Sequence, residues 1–483
     1  MNFALIFRLI GHVLFLEGLL MALPLAVSVL YGGEDLLSFV ATMFLVIAVG
    51  QMLRRLEPKV QTFRSRDGFL CVALSWVLLA FFGALPFYFS GYFASFVDCF
   101  FESVSGFTTT GASILPEVES LPKGILFWRS FTHWIGGMGV LVFVLAVMPN
   151  VSASTLHLLK AESPGPSPGK IMPRIRETAQ MLYLIYFGLT IVHIICLLLA
   201  ELPLYDAVIT SMGSAGTGGF SNRNLSIGAY NNVAVEMITA VFMMLFGVNF
   251  SIYYCCLKKD FRSVAKNEEL RLYLTIIVAV TVLITINILS LFDFSILQSL
   301  RYAFFQVVSI MTTTGYSTID FNLWPTFSKA LLVTLMVIGA SAGSTGGGVK
   351  VVRILILCKA AMHEIGKIIY PRRVRTVKND GYTVEESGLR SIGLFFFCYM
   401  MIAFVAFLLV SLDGFDLITS GTAVFSALGN IGPGFEVIGP MGNWSAFSPF
   451  SKLVFSFCML AGRLEVFPML LLLSPMAWKR SEI

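Results

Sequence analysis

One short word occurs four times along this chain, each time after an apolar stretch too short to cross a membrane and before one of membrane length. It reads TTTGAS from Thr108 to Ser113, TGGFS from Thr217 to Ser221, TTTGYS from Thr312 to Ser317 and GPGFE from Gly432 to Glu436. The half-length stretches are Phe93 to Phe107, Leu204 to Ala215, Ile296 to Met311 and Phe415 to Asn430. Each is too apolar for an ordinary loop, which is the pattern of a re-entrant helix whose irregular exit is sheltered by protein or faces water. Four such units in one polypeptide can surround an axis and offer four sets of backbone carbonyls to a dehydrated cation. The chain therefore reads as a cation pore.

Composition agrees with a membrane setting. Apolar residues make up 57% of the chain and charged residues 13%, against about 45–50% and 25% in soluble domains. Membrane-length segments are expected near 4–31, 37–53, 68–90, 125–149, 178–200, 232–257, 271–292, 327–368, 390–412 and 448–475. The first is too long for a secretory leader and lacks a small-residue cleavage site, so it counts as a membrane helix. The expected fold is an all-α integral membrane protein: four covalently linked helix–pore helix–helix repeats around a pseudo-fourfold pore, preceded by two extra transmembrane helices. The units are an N-terminal pair at 1–66 and repeats at 67–160, 161–265, 266–388 and 389–483, the third with a broken second helix.

Most of the 33 Lys and Arg fall on one side of this topology, near Arg8 and in 54–66, 160–176, 258–271, 350–390 and 479–480. The positive-inside rule then places both termini in the cytoplasm and the four glycine words near the outer face. A net charge of +5 is accounted for by basic loops at an anionic inner leaflet, so the lipid bilayer is the expected partner and no nucleic acid is needed. The eight cysteines stand singly or as one adjacent pair, without metal-ligand spacing, which argues against a zinc site or a disulfide framework.

Aligning the words on the glycine before an aromatic or small residue sets Gly111, Gly219, Gly315 and Gly434 in register. Glycine suits a filter because its backbone turns carbonyls toward an axis in conformations that a side chain obstructs. The preceding residues, Thr109 and Thr110, Thr217 and Gly218, Thr313 and Thr314, and Gly432 and Pro433, would add further carbonyls and some hydroxyls. Glycines that merely let helices pack closely are the plainer reading, but four at matching places favour the filter.

A second glycine-rich run interrupts the eighth span. GASAGSTGGG from Gly339 to Gly348 cannot be a comfortable helix, since each glycine costs about 1 kcal/mol relative to alanine there. Irregular backbone at membrane depth must line a cavity or be buried, so Gly343, Ser344, Thr345, Gly346, Gly347 and Gly348 are expected to form a gate below the filter. Two enzyme-like patterns overlap this run. The GxSxG of Gly339 to Gly343 lacks a strand-to-helix elbow with a His/Asp pair, and GGGVK lacks a nucleotide fold. No credible acid, base or metal cluster remains, so the chain is expected not to be an enzyme and to need no covalent cofactor.

Arg463 interrupts the last apolar span. Such a charge faces the bundle interior, where it would repel cations and touch the gate, or else pairs with Glu465 or backbone carbonyls. Asp98, Glu102 and Asp206 lie on pore helices and either concentrate cations at the mouth, or cap helices or pair with Arg129 or Arg301. His133, Trp134 and the glycines after them are read as close packing.

The filter words, HWIGGMG at His133 to Gly139, AGSTGGGVKVVRI at Ala342 to Ile354 and AGRLEVF at Ala461 to Phe467 together resemble the TrkH/TrkG family of bacterial potassium-uptake subunits, in the superfamily that includes KtrB and the plant high-affinity potassium transporters. The resemblance spans essentially the whole chain. It implies potassium, with rubidium accepted, as substrate and filter ligand, since Gly111 stands where sodium-permeable members carry serine. It also implies an intramembrane loop at the gate position, a role for Arg463 beside it, a homodimer in the bacterial inner membrane, and a cytosolic TrkA-like nucleotide-binding regulatory subunit. The fourth word, with Ile431 and Pro433, departs from the threonine pattern. A secondary transporter coupling potassium or another small solute to protons or sodium is the alternative, although its broken helices usually come as a pair.

Overall fold

The computed structural model describes residues 2–58, 65–139, 175–370 and 376–478. Among the described residues, six helices are long and apolar enough to cross a bilayer: Phe3–Leu30, Leu36–Arg54, Arg66–Ser90, Ala179–Leu199, Glu268–Phe292 and Glu386–Asp413. Two of them carry a break that a proline explains. Pro24 removes a backbone donor and crowds the carbonyl four residues back, and the first helix divides at Met21 into Phe3–Leu20 and Ala22–Leu30. Pro86 acts likewise where the third divides at Ala84.

The first two helices form an antiparallel pair whose contact is glycine-lined. A methyl group on Gly11 would lie 2.7 Å from the Arg54 nitrogen, and one on Gly50 would lie 2.6 Å from the Phe15 nitrogen. Small residues let these backbones meet where lipid supplies no hydrophobic drive for association.

The remaining helices follow one order four times: a long first helix, a short pore helix, an irregular segment, then a second helix. The pore helices are Phe96–Phe107, Leu204–Gly216, Ile296–Met311 and Leu417–Gly429. Their N-termini are set by local signals. Ser95 accepts from the Asp98 amide, Asp416 accepts from those of Ile418 and Thr419, and Pro203 precedes the second.

The second helices correct the span list. The sequence leads one to expect continuous crossings at 125–149, 232–257 and 448–475, with only the third repeat broken. The helices instead end early in all four repeats: Lys123–Gly137, Val233–Phe246, Thr326–Ile338 and Pro449–Arg463. At 1.5 Å per residue each is about 20 Å long, short of a core of about 30 Å. In the second repeat the chain bends by 90° before Phe250–Leu257. In the fourth, left-handed Glu465 and Val466 separate Arg463 from Phe467–Leu473. Hydropathy reports apolar length rather than helix continuity, and so does not register these breaks. The end of the expected fourth span at 140–149, the basic segment Ser152 to Arg176 up to residue 174, and Lys479 with Arg480 lie outside the described residues.

On the polar side a small hairpin pairs Lys378 with Thr383 and Asn379 with Tyr382. Its Asp380–Gly381 turn has positive φ at both residues, the favoured two-residue geometry. The Asp380 carboxylate accepts from the Glu268 amide at 2.7 Å and from Asn267 Nδ2 at 3.1 Å, which fixes the start of a spanning helix.

Candidate functional site

All four pore helices end in the same cap. The amides of Thr110, Gly218, Thr314 and Ile431 donate to carbonyls five residues back, at Ser105, Gly213, Ser309 and Ser426, over 2.8–3.0 Å. The residues just before them, Thr109, Thr217, Thr313 and Asn430, are left-handed with φ of 57°, 55°, 59° and 55°. This is the Schellman arrangement, usually built on glycine. Two residues after each left-handed residue stands a glycine that is also left-handed: Gly111 at 78°, Gly219 at 77°, Gly315 at 80° and Gly432 at 100°.

These four glycines close a ring. A methyl group on Gly111 would sit 1.8 Å from the carbonyl oxygen of Gly218, and one on Gly219 would sit 1.9 Å from that of Thr314. A methyl on Gly315 would meet the Ile431 oxygen at 2.2 Å, and one on Gly432 would meet the Thr110 oxygen at 2.7 Å. Each glycine therefore abuts the carbonyl preceding the glycine of the next repeat, and the fourth returns to the first. Pore helices end with their C-termini here, each contributing roughly half an elementary charge of negative potential. Four backbones, four carbonyl sets and four helix dipoles favour one positive ion.

The ring revises the register of the fourth word. Gly434, aligned by spacing with Gly111, Gly219 and Gly315, lies two residues past the ring, does not have a positive φ, and donates to the Ile438 carbonyl at 2.7 Å. Gly432 takes the matching place, so Asn430 and Ile431 correspond to Thr109 and Thr110, and Pro433 follows the ring glycine. The fourth pore helix ends at Gly429, leaving fewer residues before the glycine than in the first and third repeats. Asn430, a residue that tolerates a left-handed backbone, two places before a glycine was the available signal.

Side chains break the fourfold likeness. The Thr108 and Thr110 hydroxyls lie 2.8 Å apart, as do those of Thr312 and Thr314. Gly218 and Ile431 have no hydroxyl at that place. Asn430 Nδ2 instead donates to the Thr110 hydroxyl at 3.0 Å and to the Met459 carbonyl at 2.8 Å, bracing the first strand from the fourth. The Tyr316 hydroxyl lies 3.2 Å from the Thr210 carbonyl and 3.3 Å from that of Phe220, bracing the second from the third.

The acids on the pore helices are occupied behind the ring. Glu102, fully buried, accepts from Arg129 Nε at 2.8 Å, the Ser113 hydroxyl at 2.9 Å and the Ile114 amide at 3.0 Å. Asp98 meets Lys452 at 2.6 Å, and Asp206 accepts from Asn222 at 2.6 Å and lies 3.5 Å from Arg223. Arg301 pairs with Glu236 at 3.2 Å. All three are paired, but only Glu102 takes the expected Arg129; Asp98 and Asp206 meet Lys452 and Arg223 instead, and Asp98 also accepts from the Ser95 hydroxyl at the start of its helix at 2.8 Å.

The glycine run from Gly339 to Gly348 lies directly against the inner end of the ring. It is a compact loop, with Gly339, Gly343 and Gly348 left-handed. The Gly347 amide donates to the Thr313 hydroxyl at 2.7 Å. A methyl on Gly347 would lie 2.2 Å from the Gly429 carbonyl, and one on Gly346 would lie 2.9 Å from that of Thr312. Ser344 bonds back to the Ser341 carbonyl at 2.6 Å, and the Thr345 hydroxyl donates to Phe246 at 3.3 Å. The Gly343 carbonyl accepts from the Phe250 amide at 3.0 Å, and Glu269 accepts from Ala342 at 2.6 Å.

Arg463 joins this loop to the rest. It donates to the Thr345 carbonyl at 2.7 Å and to the Gly136 and Gly137 carbonyls at 2.6 and 2.5 Å. The last two form the C-terminal turn of Lys123–Gly137, where a cation is favoured. The two readings of Arg463 meet here: it binds carbonyls, and one belongs to the loop. Glu465 pairs with Arg353 instead.

A membrane protein in which four re-entrant helices bring glycine backbones into one closed ring, with a glycine loop beneath it, has the architecture of a cation-conducting transport protein. The sequence profile of the TrkH family, described as cation transport proteins, matches residues 36–480, and the chain belongs to that family, whose members are transport proteins rather than enzymes. It is 36% identical to the Trk system potassium uptake protein TrkH of Salmonella typhimurium across 99% of this chain and 100% of that protein. It is 32% identical to the Trk system potassium uptake protein TrkG of Escherichia coli K12 across 97% of each. The crystal structure of the potassium transporter TrkH from Vibrio parahaemolyticus superposes with a TM-score of 0.89 at 34% identity, covering 99% of this chain and 100% of that one.

Proposed function

We propose that this chain is the ion-conducting subunit of a Trk-type potassium uptake system in a bacterial inner membrane, with both termini cytoplasmic. The four-glycine ring is the observation that carries the reading. Carbonyls of Thr110, Gly111, Gly218, Gly219, Thr314, Gly315, Ile431 and Gly432, with Thr109, Thr217, Thr313 and Asn430 holding the turns, replace water around potassium or rubidium. Pro433 and Gly434 flank the site rather than line it. Potassium is thus substrate and transient ligand, and the similarity to potassium uptake proteins supports that choice of ion.

Gly343 to Gly348 act as the gate, held shut by Arg463. The loop touches the ring's lower edge, and the hydrogen bonds that a conformational change must release include those to Thr313, Phe246, Gly247, Phe250, Glu269, Lys350 and Arg463. The basic segments outside the bilayer suit a homodimer carrying a TrkA-like nucleotide-binding regulator. The five units proposed from the sequence, an N-terminal pair and four repeats, describe how the pathway is assembled.

Purified protein in liposomes should take up rubidium and potassium in preference to sodium, and exclude a small organic solute. Equal sodium and potassium uptake would remove the filter reading. A requirement for a proton or sodium gradient would turn the assignment toward a coupled transporter.

A further inference from the structure

The second strand of the ring lacks what braces the first and third. Thr110 and Thr314 tie their hydroxyls back to Thr108 and Thr312, but the matching residue here is Gly218, and its side-chain space is filled by His133. A methyl on Gly218 would lie 2.4 Å from the His133 ring. His133 is fully buried and comes from the second helix of the first repeat. Its Nδ1 is 2.7 Å from the Gly106 carbonyl, in the last turn of the first pore helix. Its Nε2 is 3.2 Å from the Phe220 nitrogen, the residue just after ring glycine Gly219. The rings of His133 and Phe220 stack at 4.2 Å.

The geometry points to His133 as the positioning residue of the second filter strand, a neutral imidazole that hangs the Gly219–Phe220 peptide from the first pore helix and thereby sets cation discrimination. A carbonyl can only accept and an amide can only donate, so one tautomer satisfies both: Nδ1 carries the proton and Nε2 accepts. A charged ring offers two donors and leaves the Phe220 amide unpaired. The inference deepens the filter reading and rests on it.

The test compares rubidium-to-sodium uptake ratios of the wild-type chain, His133→Ala and His133→Gln in liposomes, with Gly315→Ser as an independent filter control. Glutamine keeps one donor and one acceptor at similar spacing and should hold the ratio within about twofold. Alanine, which loses the bond to Phe220, should lower it by about tenfold. An unchanged ratio in His133→Ala, or a collapsed ratio in folded His133→Gln, overturns the assignment. An unchanged ratio in Gly315→Ser would instead sink the filter reading itself. Nitrogen-15 spectra of histidine-labelled protein give a second measure that survives poor folding of the alanine variant. A buried ring protonated at Nδ1 alone is expected, and protonation at Nε2 or at both nitrogens refutes the proposal.

Discussion

Thr109, Thr217 and Thr313 hold a backbone that β-branched residues avoid, at a strain of about 1–3 kcal/mol each. The pore-helix caps hold that conformation in all three, joined by the buried hydroxyl pairs beside Thr109 and Thr313. The ring glycines have a different reason to exist, since no side chain fits between neighbouring strands. Gly432→Ala, at φ of 100° and 2.7 Å from the Thr110 oxygen, should abolish selective rubidium uptake. Gly434→Ala meets mainly the movable end of Ile438 and should retain most of it; equal loss in both would contradict the ring register. Behind the ring, Arg129→Ala strands a buried carboxylate and should destabilise the protein by about 3–5 kcal/mol. Adding Glu102→Gln should recover part of that loss in thermal unfolding of the detergent-solubilised chain.

Among the elements, the shortened second helices matter most. Each ends about 20 Å along its path, and the loop from Gly339 to Gly348, which follows the end of the third, lies against the ring. Arg463 gains three carbonyl contacts from two such broken ends. Arg463→Ala should therefore raise rubidium leak through the chain reconstituted without any partner. Because the residue also ties the loop to the first repeat, Arg463→Lys, with one compact charge in place of a planar fork, should give an intermediate leak. Resting flux equal to wild type in both variants would remove the latch.

At the level of the whole molecule, ring closure depends on contacts between the first and last repeats. Asp98 on the first pore helix meets Lys452 on the last second helix at 2.6 Å, both buried, and Asn430 reaches Thr110. Lys452→Met should cost stability and lower the rubidium-to-sodium ratio together, as one seam of the ring loosens. The proposed orientation is tested separately: a cysteine at Glu119 should react with an impermeant maleimide from outside intact cells, and one at Asp260 should not.

Class, repeat number and the place of the ring were legible in the amino-acid sequence, because each follows from local chemistry. Apolar length dictates a membrane helix, a half-length apolar stretch dictates re-entry, and glycine marks crowded backbone. Three matters were decided only by tertiary structure: the use of Gly432 rather than Gly434, the early end of the second helix in the first, second and fourth repeats, and the partners of Asp98, Asp206 and His133. Each depends on what a distant segment places opposite the residue. Spacing along one strand cannot report whether a carbonyl from the next repeat leaves room for a Cβ atom, and a buried charge acquires its partner only when the four repeats close.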